Sequence, residues 1–173
     1  MSTSPNQPRN KADLLSQLDA AWADLRTALA AIPAGDLETV RDASGWSVAD
    51  HLAHVTAWER WKVALLRGES RAVSLGVSED LYGSDDTDAI NQAIRAASVG
   101  QSAEAALAAA ERTHSDLTAL VTTLSDEDLR QPYGRFMPDQ PAIEGDPTLL
   151  GLCAFTLDHI AEHVGLLGEM RPA

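Results

Sequence analysis

The sequence predicts an all-α protein, a four-helix bundle with helices in up-down-down-up order and a long crossover between the second and third. Three observations carry the fold class. Apolar residues recur at spacings of three and four in four segments of roughly twenty residues each. No stretch alternates as a strand requires. An irregular stretch, Glu69 to Gln101, separates the second segment from the third and is long enough to reverse the chain direction.

The first helix is expected from Lys11 to Ile32. Asn10 is its N-cap, with Asp13 three residues later, and Leu14, Leu18, Trp22, Leu25 and Leu29 form one stripe. Pro33 ends it. Pro33 to Gly45 reads as a connection with at most one short turn of helix. Ser47 then caps the second helix, with Asp50 reaching back in a capping box. Val48, Leu52, Val55, Trp58, Leu65 and Leu66 define its buried arc as far as Arg67, and His51 and His54 both fall within that arc. Gly68 provides the C-terminal stop.

Between Glu69 and Gln101 the sequence predicts one short helix, Thr87 to Ala97. The third long helix follows from Ala103 to Leu124 with Ser102 as cap. Its stripe of Leu107, Ala110, His114, Leu117 and Val121 turns His114 inward. A short capped turn begins at Ser125. Arg130 to Gly145 carries three prolines and reads as a loop. Asp146 is expected to cap the fourth helix, with Pro147 at its first position, and the helix to run to Met170.

With 173 residues, 45% of them hydrophobic, the chain is expected to form a single domain over 1–173, with 1–9 a flexible tail. Its net charge of −13, from 26 acidic and 13 basic residues, repels phosphate backbones and anionic lipid. Nucleic acid and membrane are therefore not expected partners. A small-molecule substrate remains, and the chain is expected to be a monomer or homodimer. The single cysteine, Cys153, allows no internal disulfide and fits a reducing cytoplasm. No P-loop, GxGxxG, CxxC or GxSxG motif is present.

The fourth helix carries His159 and His163, four residues apart and so on one face. Two imidazoles on a core-facing helix suit a metal that a third ligand completes, and His54 or His51 is the available donor. At ~1.5 Å per residue, His54 lies roughly 10 Å from the start of its helix, and His163 lies about as far from the end of the fourth. They share a level only if helices two and four are antiparallel, which the crossover permits. Three neutral imidazoles suit Zn²⁺, Ni²⁺ or Fe²⁺ and leave a coordination position open. That position can acidify a water to a pKa near ~7 or hold a low-molecular-weight thiol cosubstrate.

The pattern W-S-x-x-x-x-L-x-H from Trp46 to His54, followed far downstream by H-x-x-x-H, resembles the DinB-like superfamily. NKADLLSQLDAAWADL, WSVADHLAHVTAWERW and THSDLTALVTTLSDEDL are most similar to its ClbS/DfsB-type branch, and the likeness covers nearly the whole chain. The resemblance implies a four-helix bundle with a crossover. It makes His54, His159 and His163 the metal ligands and leaves His51 at a variable position. Relatives include thiol-dependent transferases and isomerases, and a protein that protects its host by opening an electrophilic cyclopropane in a genotoxin.

Other residues remain open. Trp58 and Trp61 either wall a pocket or fill the core. His51 and His114 are further pocket candidates, though a lone inward histidine such as His114 is usually a hydrogen-bonded core residue. Glu59 and Glu162 are candidates for a general base or for support of a ligand. Glu59 sits at the edge of the buried arc, where a solvated side chain is the plainer expectation. Tyr133 and Phe136 either cover a pocket mouth or anchor their loop. Cys153 reads as a small buried hydrophobe. Together these readings point to a metal-dependent hydrolase or thiol S-transferase acting on an electrophile, as in detoxification or self-protection. The alternative is a metal-free, ClbS/DfsB-like protective or ligand-binding bundle.

Overall fold

The computed structural model describes residues 7–137 and 147–170. Four long helices form the body: α1 (Lys11–Ala30), α2 (Val48–Arg67), α6 (Ala103–Thr123) and α8 (Leu149–Glu169). Between α2 and α6 lie α3 (Arg71–Leu75), α4 (Glu79–Gly83) and α5 (Thr87–Ser98), and α7 (Asp126–Arg130) follows α6. A 3₁₀ turn, Tyr133–Phe136, completes the elements, and no strand occurs among the described residues.

Side-chain pairs between helices set their relative directions. Lys11, at the start of α1, donates through Nζ to the carbonyls of Thr122 and Leu124 at the end of α6, so those helices oppose each other. Glu59 meets His114, and Arg67 meets Asp116 farther along both helices, so α2 and α6 run in the same sense. His51 meets His163 while His54 faces the earlier His159, so α2 and α8 are antiparallel. The core is layered accordingly. Leu14 and Leu18 pack with Leu117, Leu149 and Cys153 at one end, and Trp22 to Ile32 pack with Val48, Leu52, Ile160 and Met170 at the other. A third cluster of Ala57, Leu75, Ile90 and Ile94 lies beneath the crossover.

Local signals explain most boundaries. Asn10 Oδ1 accepts from the Asp13 N–H at 2.8 Å, and Ser47 and Asp50 form both bonds of the capping box. Helix α1 ends two residues before the expected Ile32, because Pro33 disfavours helical geometry in the residue before it. The crossover is more helical than expected. Ser70 and Ser78 each accept a backbone N–H, and Gly76 at φ 76° closes the first turn, so three short capped helices replace one. The expected tail is anchored at its end, where Pro8 is buried and Arg9 lies 3.0 Å from Asp13.

The start of α8 also differs. Asp146, expected as its cap, lies outside the described residues, and Pro147 is not in the helix. Tyr133 N–H donates to Pro147 O at 3.1 Å and Leu149 N–H donates to Gln131 O at 2.8 Å. This pairing holds Pro147 and Thr148 extended, so Thr148 becomes the cap and accepts from Gly151 N–H. Helix α8 has the length and mean hydropathy to cross a membrane. Asp158, His159, Glu162 and His163 interrupt it, however, and it packs along α1 and against α2 as a core helix. Tyr133 and Phe136 pack against the Leu117 cluster and so tie down their loop.

Leu117 is fully buried at the centre of that cluster. Leu117→Ala is expected to lower unfolding free energy by about 2–5 kcal/mol in urea titration. Ser47→Ala, which removes one cap bond, should cost only about 1 kcal/mol. Equal losses for the two variants would contradict this assignment of the core.

Candidate metal centre

Helix α2 begins at a rigid corner. Its capping box is held from outside by α5, whose Ser98 Oγ donates to Asp50 Oδ1 at 2.6 Å. Arg95, also on α5, donates to Gly45 O at 2.7 Å and lies over the Trp46 ring at 5.3 Å. His51 and His54 leave the first turns of α2 from this corner, and Trp46 packs on both at centroid distances of 5.4 Å.

Opposite them, α8 presents His159 and His163. The ring centroids of His54 and His159 are 4.9 Å apart, those of His54 and His163 5.0 Å, and those of His159 and His163 4.8 Å. One nitrogen from each ring lies within 4.8 Å of the other two, so the three are close enough to bind one metal ion. His54 and His163 are buried and His159 is half-buried.

Protonation favours ligation. Burial, with His51 nearby, lowers the pKa of His54 to about 4. Burial, then the charges of His54 and Lys62, lowers His159 to about 3. Burial and the three neighbouring imidazoles take His163 to about 2. All three are therefore neutral near pH 7, with a lone pair on one nitrogen of each.

A line of polar contacts from Asp42 through His51 decides which nitrogen of His163 that is. Asp42 Oδ1 accepts from the backbone N–H groups of Ser44 and Trp46, both at 2.8 Å, which fixes the carboxylate. Its Oδ2 lies 3.2 Å from His51 Nε2, and His51 Nδ1 lies 2.9 Å from His163 Nδ1. Burial lowers the His51 pKa despite the carboxylate, so His51 is neutral. A carboxylate only accepts, which puts the His51 proton on Nε2 and makes its Nδ1 an acceptor. His163 must then donate through Nδ1, and its Nε2 carries the free pair. His54 adds a second sign of fit, since its buried Nδ1 has no hydrogen-bond partner.

A cavity of about 730 Å³ adjoins the histidines. Trp58 and Trp61 line it, each fixed by its indole N–H: Trp58 donates to Asn91 Oδ1 at 3.1 Å and Trp61 to the Tyr82 hydroxyl at 3.0 Å. Lys62 and Leu152 line it as well, Glu162 is exposed at its edge, and Phe155 stands 63% exposed at its mouth.

Two of the residues singled out from sequence lie elsewhere. Glu59 and His114 are not among those lining this cavity. Glu59 is buried, not solvated, because its side of α2 faces α6. Its Oε1 meets His114 Nδ1 at 2.9 Å, and the His114 ring stacks on Trp22 at 4.7 Å. Asp158 is exposed, as a helical wheel implies. Burial raises the Cys153 thiol to about 11, which fits an inert core residue. Asp42 and Lys62 were not anticipated from the sequence. The turn signature D-A-S-G before a capped helix marks Asp42, and the eight-residue spacing from His54 puts Lys62 on the histidine face.

The DinB superfamily model matches residues 17–167. Among solved structures, an uncharacterised protein from Escherichia coli UTI89 is similar in fold, with a TM-score of 0.72 and 19% identity over 96% of this chain and 95% of that one. Among curated proteins no relative matches. The family match spans most of the chain, both helix-borne histidine motifs included: this protein belongs to the DinB superfamily.

Proposed function

We propose that the protein is a divalent-metal-dependent enzyme acting on a small electrophilic molecule, either as a hydrolase or as a thiol S-transferase. The convergence of three neutral imidazoles beside a walled cavity supports this reading most strongly. His54, His159 and His163 hold Zn²⁺, Ni²⁺ or Fe²⁺. When bound, such an ion polarises an electrophile or acidifies a water or low-molecular-weight thiol. Asp42 and His51 keep the His163 lone pair on Nε2, while Trp58 and Trp61 shape the space for substrate. A protective role of the ClbS/DfsB kind, in a reducing cytoplasm, fits an enzyme that consumes electrophiles. The bond between His51 and His163 favours a second reading, in which the histidines satisfy one another in a metal-free ligand-binding bundle.

Elemental analysis of tag-free protein separates the two. The metal reading expects about one ion per chain after reconstitution and less than about a tenth of that for His163→Ala. Wild-type protein that stays below that lower level removes the metal. Asp42→Asn tests the line of contacts through His51: metal affinity should fall by about 10- to 100-fold by competition with a chelator. Unchanged affinity contradicts that role.

The metal-free fold should also be acid-sensitive in a defined window. Unfolded imidazoles take up protons below pH ~6.5, whereas those of His54, His159 and His163 stay neutral in the fold to about 4, 3 and 2. Between these limits the unfolded chain binds more protons, so stability is complete above pH ~6.5 and falls as pH drops. The urea midpoint should decline from pH 7 to pH 5, and less steeply in His163→Leu. A slope that this substitution leaves unchanged contradicts the assignment.

A further inference from the structure

Lys62 lies two helical turns beyond His54 on α2, lines the same cavity, and is only 4% exposed. An ammonium carries three donors. The one hydrogen bond Lys62 makes is a long one, 3.4 Å, to the carbonyl of Trp58 on its own helix. Among the described residues no carboxylate forms an ion pair with it. Glu59, one turn back, meets His114 through Oε1, and its Oε2 has no hydrogen-bond partner, Lys62 included; the Cys153 thiol stays protonated. A lysine with so little compensation is rarely buried. Burial accordingly lowers its pKa, only partly opposed by Cys153 and Glu59.

The surroundings restrict what can supply the missing charge. Trp58, Trp61 and Leu152 give the cavity broad apolar walls. The indoles are pinned by Asn91 and Tyr82, so the walls are set before a ligand arrives. Glu162 at the edge, and a net charge of −13, disfavour ligands with several negative charges. The remaining match is a flat apolar body with one anionic group.

We propose that Lys62 is the anion-binding residue of this cavity and that the ligand is a small aromatic or similarly planar monocarboxylate. Its carboxylate accepts hydrogen bonds from Lys62 Nζ, and its ring lies along Trp58 and Trp61. This names a substrate class for the cavity of the proposed enzyme, and it rests on that cavity being the substrate site. It does not depend on the metal.

The test uses chelator-treated full-length protein with 2-naphthoate and its neutral isostere 2-naphthamide, followed by tryptophan fluorescence and calorimetry. Wild-type protein should bind naphthoate at least about tenfold tighter, as expected for one charge-assisted contact. Lys62→Met should abolish that preference while keeping affinity for the amide. Its fold is checked by circular dichroism, with Lys62→Gln as the second variant. Equal affinity of the two probes for wild type, no binding of either, or a preference that persists in both folded variants would overturn the proposal. Metal content, measured on the same protein after reconstitution and before chelation, keeps the questions apart. Absent metal with an intact preference refutes the enzyme reading alone, whereas bound metal with no preference refutes the lysine subsite alone.

Discussion

Everything at the candidate centre depends on α2 and α8 running in opposite directions at close range. The first turns of α2 meet the latter half of α8, so His51 and His54 stand level with His163 and His159. Parallel helices would separate those levels by roughly 13 Å at the ~1.5 Å rise of a helix. The crossover from α3 to α5 makes the reversal possible, and it also builds the site. Arg95 and Ser98 hold the α2 corner, while Asn91 and Tyr82 fix the indoles of Trp58 and Trp61. A connection that solves a topological problem thus supplies part of the cavity wall.

The bundle buries polar side chains on two faces of α2. At the α2–α6 face, Glu59 Oε1 and His114 Nδ1 engage each other under the Trp22 ring, away from the cavity, while Glu59 Oε2 and His114 Nε2 have no partner among the described residues. At the α2–α8 face the polar groups are left partly open. His54 Nδ1 has no partner, His163 spends one nitrogen on His51, and Lys62 has one long bond. Groups left open where they border a cavity are the strongest physical reason to look for ligands there.

Much of this was legible in the sequence, because helix caps and apolar stripes are local signals. The starts of α1, α2, α6 and α7 follow from Asn10, Ser47, Ser102 and Ser125, and the histidine spacing placed His159 and His163 on one face. The start of α8 was not legible, since backbone pairing of Pro147 and Leu149 with the distant loop residues Tyr133 and Gln131 makes Thr148 the cap. The solvated reading of Glu59 and the pocket reading of His114 failed for a related reason, whereas His114 as a hydrogen-bonded core residue holds. A helical wheel separates buried from exposed positions but does not say which of two neighbouring helices a buried residue faces. Asp42 and Lys62 were missed because an acidic loop residue and a lysine are ordinarily solvated, and only tertiary contacts reveal their burial.

X-ray absorption at the metal edge of Zn²⁺-loaded protein tests the central claim most directly. Three imidazoles from two helices sharing one ion predict a first shell of three imidazole nitrogens at ~2.0–2.1 Å and at least one exchangeable oxygen ligand, with the bound Zn²⁺ lost in His54→Ala. A wild-type shell with two or fewer imidazoles, or one that His54→Ala leaves unchanged, would contradict it.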